Sequence, residues 1–61
     1  MNPTISFKAV NTPVLARVSG SGNVVCLVAK TPASLNTVRE IKRRAIELFG
    51  GDRRVLIRTL D

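Results

Sequence analysis

The spacing of apolar residues differs in one segment of this chain from the rest, and that difference restricts the folds that the chain can adopt. Apolar residues recur at the 3.6-residue spacing of a helix at Val38, Ile41, Ala45, Leu48 and Phe49. Before and after this segment, apolar and polar residues alternate or form short apolar runs, as they do in strands. The pattern therefore predicts one helix among several strands.

Four strand segments are predicted around the helix. TISFKAV (4–10) and VLARVS (14–19) alternate, which is typical of half-buried strands, and NTP (11–13) between them is turn chemistry. VVCLVAK (24–30) is apolar on both faces, which predicts an interior strand, antiparallel to the previous one across GSGN (20–23). RRVLIRTL (53–60) is the last strand, after Gly50 and Gly51 end the helix.

The predicted fold class is α+β, with one sheet of about four strands, one helix on one of its faces, and the order β-β-β-α-β. A right-handed crossover through the helix should place the last strand parallel to the third. The start of the helix is open between Thr31, with Pro32 as the first helical residue, and a later cap at Ser34 or Asn36.

The length of 61 residues predicts a single small basic domain over residues 1–61, with a marginal core. Cys26 is the one cysteine, so a disulfide within the chain is excluded, and its apolar neighbours predict a core position. We therefore expect a homodimer or a subunit of a larger complex. The scarcity of cysteine and the lack of a signal-peptide pattern predict a cytoplasmic protein, and no apolar run is long enough for a membrane span.

Catalysis is not expected from this set of side chains. The chain has no histidine, and Cys26 therefore has none to activate it. Of the four carboxylates, Glu40 and Glu47 have the spacing of ion-pair partners on a helix, Asp52 falls in a loop and Asp61 is terminal. We predict no enzyme activity, no cofactor, no metal site and no small-molecule substrate.

The charge balance favours an acidic partner. Ten Lys and Arg residues against four Asp and Glu residues give a net charge of +6, which suits nucleic acid, an acidic protein surface or anionic lipid. On the helix, Arg39, Arg43 and Arg44 lie opposite the apolar stripe together with acidic residues, and the favoured interpretation there is a solvated face with ion pairs.

The sheet face away from the helix is the second candidate surface. If Phe7, Val14 and Ile57 point towards the helix, alternation sends basic and leucine side chains to the opposite face. A face that is aliphatic and cationic should not stay bare, so either two sheets pack face to face in a dimer or another macromolecule covers it. The residues concerned are Lys8, Arg17, Arg54, Arg58, Leu15, Leu56 and Leu60.

The predicted function is a small non-catalytic binding module that contacts a nucleic-acid backbone. The chain has no Trp or Tyr on which bases could stack, so contact should be with phosphates. GSGN and GGDRR (50–54) lack the context of dinucleotide and phosphate loops. The alternative is a protein adaptor that binds an acidic protein surface through Leu15, Leu56 and Leu60. The candidate contacts with nucleic acid or an acidic partner are Lys8, Arg17, Arg53, Arg54, Arg58, Arg39 and Arg43.

Two family resemblances accompany these predictions. ISFKAV, TPASLN and a helix that ends in GG before VLI resemble the small linker domain of phycobilisomes, which implies a basic domain that inserts into pigment–protein rings. The segment VLARVSGSGNVVCLVAKTPASLNTVREIKRR resembles in spacing the hairpin and helix of ubiquitin-like β-grasp domains, with an extra strand before it. The first resemblance implies a role in protein–protein association.

Overall fold

The computed structural model describes residues 3–60 and confirms the predicted order of elements. Met1, Asn2 and Asp61, including the predicted terminal carboxylate, lie outside the described residues. The elements are β1 (Ile5–Ala9), β2 (Thr12–Val18), β3 (Val24–Val28), α1 (Leu35–Phe49) and β4 (Val55–Thr59). Adjacent strands pair in the order β1-β2-β3-β4, and the first two pairings are antiparallel. The pairing of β3 with β4 is parallel, as a helical crossover requires.

The first hairpin turns one residue earlier than the sequence predicts. Ala9 pairs with Thr12, so Val10 and Asn11 form a two-residue loop, and Pro13 belongs to β2 and not to the turn. Val10 and Asn11 have φ values of 49° and 67°. Two positive φ values in succession are those of a type I′ turn, whose twist matches that of the flanking strands. Turn geometry, and not residue composition, therefore decided where β1 ends.

Helix α1 is capped at its N-terminus by Ser34, one of the three caps that the sequence left open. The Ser34 Oγ accepts a hydrogen bond from the backbone N–H of Thr37 at 3.2 Å, which satisfies one donor of the first turn. The helix ends where Gly50, with φ at 72°, donates its N–H to the carbonyl of Ile46 at 2.7 Å.

The core lies between α1 and the sheet. It is built from side chains of the three antiparallel strands, which are small or β-branched except for Phe7, together with Ile41 and Ala45 of the helix. Cys26 is fully buried there, which confirms its predicted core position, and burial raises the pKa of its thiol to about 11. The fully or almost fully buried sheet residues are Phe7, Ala9, Val14, Ala16, Val24, Cys26 and Val28.

Two helix positions differ from the predicted stripe. Leu48 is 42% exposed, whereas Thr37, which the stripe omitted, is buried. Arg44 was predicted on the solvent side, but it is half-buried, and its guanidinium carbon lies 5.9 Å from the centroid of the Phe7 ring. Phe49 also packs against the core at this end. In the last two turns of α1, Phe49 and the stem of Arg44 therefore pack towards the sheet, and Leu48 does not.

Candidate nucleic-acid interface

The sheet has one face against α1 and one face that no other element of residues 3–60 covers. Residues paired across neighbouring strands share a face, so the register fixes the membership of each face. Buried Ala16 pairs with buried Cys26, and their neighbours Leu15 and Leu27 pair on the other side. We call that other side the open face. Its strand residues are Ser6, Lys8, Pro13, Leu15, Arg17, Val25, Leu27, Leu56 and Arg58.

The open face has an aliphatic centre. One row across the strands contains Leu15 and Leu27, and the next contains Val25 and Leu56. Val25 is only 9% exposed and Leu27 and Leu56 are half-buried, while Leu15 is 39% exposed. The aliphatic centre is thus less exposed to solvent than its number of leucines suggests, because long neighbouring side chains can lie along it.

Basic side chains surround this centre. Arg58 pairs with Leu27 at the end of one row, and Arg17 pairs with Val25 at the end of the next. Lys8 lies on β1, the opposite edge strand, and all three residues are exposed. Arg54 precedes β4 in the alternation of Leu56 and Arg58, and its carbonyl accepts the N–H of Val24 at 2.8 Å. The structure therefore brings four predicted contact residues together around one surface.

No acidic side chain of residues 3–60 lies on the open face. Glu40 and Glu47 both belong to α1, in the other layer, and Asp52 lies in the loop after it. Arg43 binds both glutamates, at 2.5 Å to Glu40 and 2.6 Å to Glu47. A hydrogen bond from Arg43 to Glu40 and the charges of both carboxylates raise the pKa of Arg43. The positive field of the open face is therefore not neutralised from within its own surface.

The loop between β2 and β3 and the loop between α1 and β4 meet at one end of the sheet. Arg53 donates from Nη1 to the carbonyl of Gly22 at 2.9 Å, which ties the two loops together. In the first loop, the hydroxyls of Ser19 and Ser21 are 2.9 Å apart, and Gly22 donates its N–H to the carbonyl of Ser19. Arg53 thus adds a cation beside the open face without belonging to it.

The structure divides the predicted contact residues into two groups. Lys8, Arg17, Arg54 and Arg58 belong to or adjoin the open face, and Arg53 lies at its end. Arg39 and Arg43 are on α1, on the other side of the sheet, and Arg43 is engaged by its two glutamates. The two groups therefore do not form one continuous contact surface.

The predicted interface leucines are on or beside the open face. Leu15 and Leu56 face outwards as the alternation predicts. Leu60 follows β4, donates its N–H to the carbonyl of Val28 at 2.6 Å, and is 47% exposed. Val25 and Leu27 belong to the same surface but were not singled out from the sequence. The position of Cys26 in the core was the signal that could have identified them, since both of its neighbours must then face away.

A shallow hollow of about 410 Å³ lies at the opposite end of the sheet. The first hairpin, the β3–α1 loop and the first turn of α1 form its walls, and Lys30 is the charged residue among the lining residues. The buried hydroxyl of Thr37 in its wall is already engaged by the Ser34 hydroxyl at 2.9 Å. The lining residues are Asn11, Thr12, Pro13, Ala29, Lys30, Thr31, Pro32, Ala33 and Thr37.

No protein family, curated protein or solved structure matches this chain. Within residues 3–60, no group of three or more His, Cys, Asp or Glu side chains is placed to hold a metal ion. The one helix of that part of the chain is too short and too polar to cross a bilayer.

Proposed function

We propose that this protein binds the phosphate backbone of nucleic acid with its open face. The observation that carries the proposal is the segregation of charge: four basic side chains surround the aliphatic centre of the open face, while the described carboxylates lie on the helix or in a loop. Phosphate binding depends on such uncompensated lysine and arginine side chains more than on any motif. A single buried thiol also suits the expected cytoplasmic location.

The spacing of the cations suits an extended polyanion. Arg54 lies directly before β4 and Arg58 within it, four residues apart, which places their Cα atoms about 13 Å apart along an extended chain. Arg17 is two strands away from β4, or about 10 Å across the sheet. Flexible arginine stems can reach several phosphates over such distances, and the aliphatic centre can lie against sugars and base faces. Without an aromatic ring on this surface, we expect little base preference.

Salt dependence is the direct test of this mechanism. With about four phosphate contacts, log K should fall with log salt with a slope of about −2.8 on single strands and about −3.6 on duplex. Between 50 and 200 mM salt, affinity should then fall about 50-fold on single strands and about 150-fold on duplex. Fluorescence anisotropy of a dye-labelled random oligonucleotide would measure both quantities.

A matched pair of double variants locates the contact surface. Arg17→Gln with Arg58→Gln removes two open-face cations, and the slope should fall by about half. Arg39→Gln with Lys42→Gln removes the same charge from exposed positions of α1 and should leave the slope nearly unchanged. Equal losses from both pairs would mean diffuse attraction without a contact surface. An absence of binding at 50 mM salt would refute the proposal outright.

A protein adaptor is the second candidate, and the aliphatic centre of the open face favours it. Arginine beside exposed leucine is a typical interface composition, and the resemblance to phycobilisome linker domains points the same way. Polyglutamate can serve as the probe, because it has the charge of an acidic protein surface but no phosphate. Leu15→Ser should weaken its binding, whereas Leu48→Ser, which changes a leucine of similar exposure on α1, should not. If both variants bind polyglutamate like the native chain, the adaptor role is excluded.

A further inference from the structure

The β4 edge of the sheet is less well covered than the β1 edge. Three successive aliphatic residues of β4, Val55, Leu56 and Ile57, are all only half-buried. On β1, Ile5 is also half-buried, but Phe7 is only 8% exposed and Ala9 only 1% exposed. Residues 3–60 contain no further element that covers this edge, so it is open to pairing with another chain.

The backbone of β4 has unpaired groups in a regular row. Arg54 accepts from Val24 and Leu60 donates to Val28, so the even-numbered residues of this segment direct their N–H and C=O groups towards β3. Alternation then directs those of Val55, Ile57 and Thr59 away from the sheet. No strand within residues 3–60 lies beyond β4 to accept these bonds. Such an edge is a template for strand pairing.

The opposite edge is a poorer template. Ala9 and Thr12 flank a two-residue loop and therefore exchange hydrogen bonds, so the odd-numbered residues of β1 face β2. Only Ser6 and Lys8 of β1 then direct backbone groups outwards, and an edge lysine is a common protection against strand addition.

We propose that two copies of this chain pair antiparallel through β4, about a two-fold axis at Ile57. In this register Val55 meets Thr59 of the second copy and Ile57 meets its own equivalent, so every outward-pointing residue of β4 forms hydrogen bonds. The half-buried Val55 and Ile57 side chains gain cover from the second copy. The two open faces become one continuous basic surface, but the pairing does not depend on what that surface binds.

The charges on β4 select this register over its neighbours. With the axis at Ile57, Arg58 lies opposite Leu56 of the second copy and Arg54 lies opposite Leu60. An axis at Leu56 would place Arg54 opposite Arg58, and an axis at Arg58 would place two copies of Arg58 opposite each other. Like charges directly opposite each other destabilise a strand pair. The shifted registers also pair fewer of the outward backbone groups.

The size of this contact predicts a weak dimer. Five-residue strands and two half-buried side chains from each copy bury less than the roughly 1,200 Å² at the low end of stable specific interfaces. We therefore expect a dissociation constant in the micromolar range and a reversible monomer–dimer equilibrium. Sedimentation equilibrium from about 1 μM to about 1 mM chain should show both species. A native chain that is monomeric over this whole range would overturn the proposal.

Disulfide trapping tests the register itself. Leu56→Cys in one chain and Arg58→Cys in the other would place two thiols at a non-hydrogen-bonded pair, with Cα atoms about 4.5 Å apart. In two chains with the same substitution, the Cα atoms of the two cysteines would be about 8 Å apart, beyond the limit of about 7 Å for a disulfide. Buried Cys26 stays protonated and does not compete. In a glutathione buffer, the mixture should form at least tenfold more linked dimer than either variant alone. An equal yield from the single variants and the mixture would refute this register.

A backbone variant tests the hydrogen bonds. Thr59→Pro removes an outward N–H from an exposed position while the bonds to β3 remain. We expect it to raise the dissociation constant at least tenfold, whereas Thr59→Ala, which keeps the N–H, should stay within about twofold of the native chain. Circular dichroism of both variants checks that the monomer fold is retained. An unchanged dissociation constant for a folded Thr59→Pro chain would also overturn the proposal.

Discussion

Val10 is the residue at which sequence and backbone conformation disagree most, and replacing it should stabilise the protein. Its φ of 49° is one that β-branched side chains rarely adopt. A strained residue of this kind costs on the order of 1–3 kcal/mol. The Val10 side chain is 59% exposed, so its removal sacrifices little packing. Asparagine tolerates positive φ and is favoured in type I′ turns. We expect Val10→Asn to raise the free energy of unfolding by about 1 kcal/mol.

That gain corresponds to a rise in Tm of about 4–8 °C for a domain of this size. Far-UV circular dichroism at one fixed chain concentration is the suitable assay, because the chain has no Trp or Tyr for fluorescence. Val10→Thr keeps the β-branch and is the matched control, with an expected change below about 0.5 kcal/mol. If Val10→Asn leaves Tm unchanged or lowers it, the backbone of Val10 is not strained at its positive φ.

Two further predictions concern the core and the helix cap. Burial raises the Cys26 pKa from 9.0 to about 11, so the unfolded chain releases this proton first as pH rises. The contribution of the Cys26 thiol to the free energy of unfolding is therefore constant below pH 9 and is lost between pH 9 and 11. Over that window, the difference in unfolding free energy between the native chain and Cys26→Ala should shrink. A difference that stays constant up to pH 11 would contradict this. Ser34→Ala removes the N-cap acceptor and should cost about 1 kcal/mol in urea unfolding, whereas Ser21→Ala in an exposed loop should be neutral. Equal effects of the two serine variants would show that the cap is not stabilising.

The arrangement of strands followed from local patterns that the structure keeps. Alternation around Phe7 and Val14 fixed the two faces of the hairpin, and the apolar run around Cys26 fixed an interior strand. The parallel pairing of β4 with β3 followed from the helical crossover that connects them. These features depend on hydrophobic period and chain connectivity, both of which can be read from residue order.

Features set by tertiary geometry were not predictable in this way. The turn at Val10 is determined by strand twist, although valine has a poor local preference for that conformation. Arg44 packs over Phe7 because the last turns of α1 lie above β1, which no helical pattern specifies. The half-burial of Val55 and Ile57 likewise depends on where the helix crosses the sheet. The open face and the separation of its cations from Glu40 and Glu47 were predictable from alternation and helical spacing, but the near-complete burial of Val25 on that face was not.

The central claim is that polyanions contact the open face of the sheet and not the helix. Amide chemical shifts recorded during titration with a random oligonucleotide test it residue by residue at low salt. The largest changes should fall on Arg17, Leu27, Leu56 and Arg58, with little change at Arg39 and Lys42 on the exposed side of α1. Changes confined to the helix, or no changes at 50 mM salt, would contradict the account.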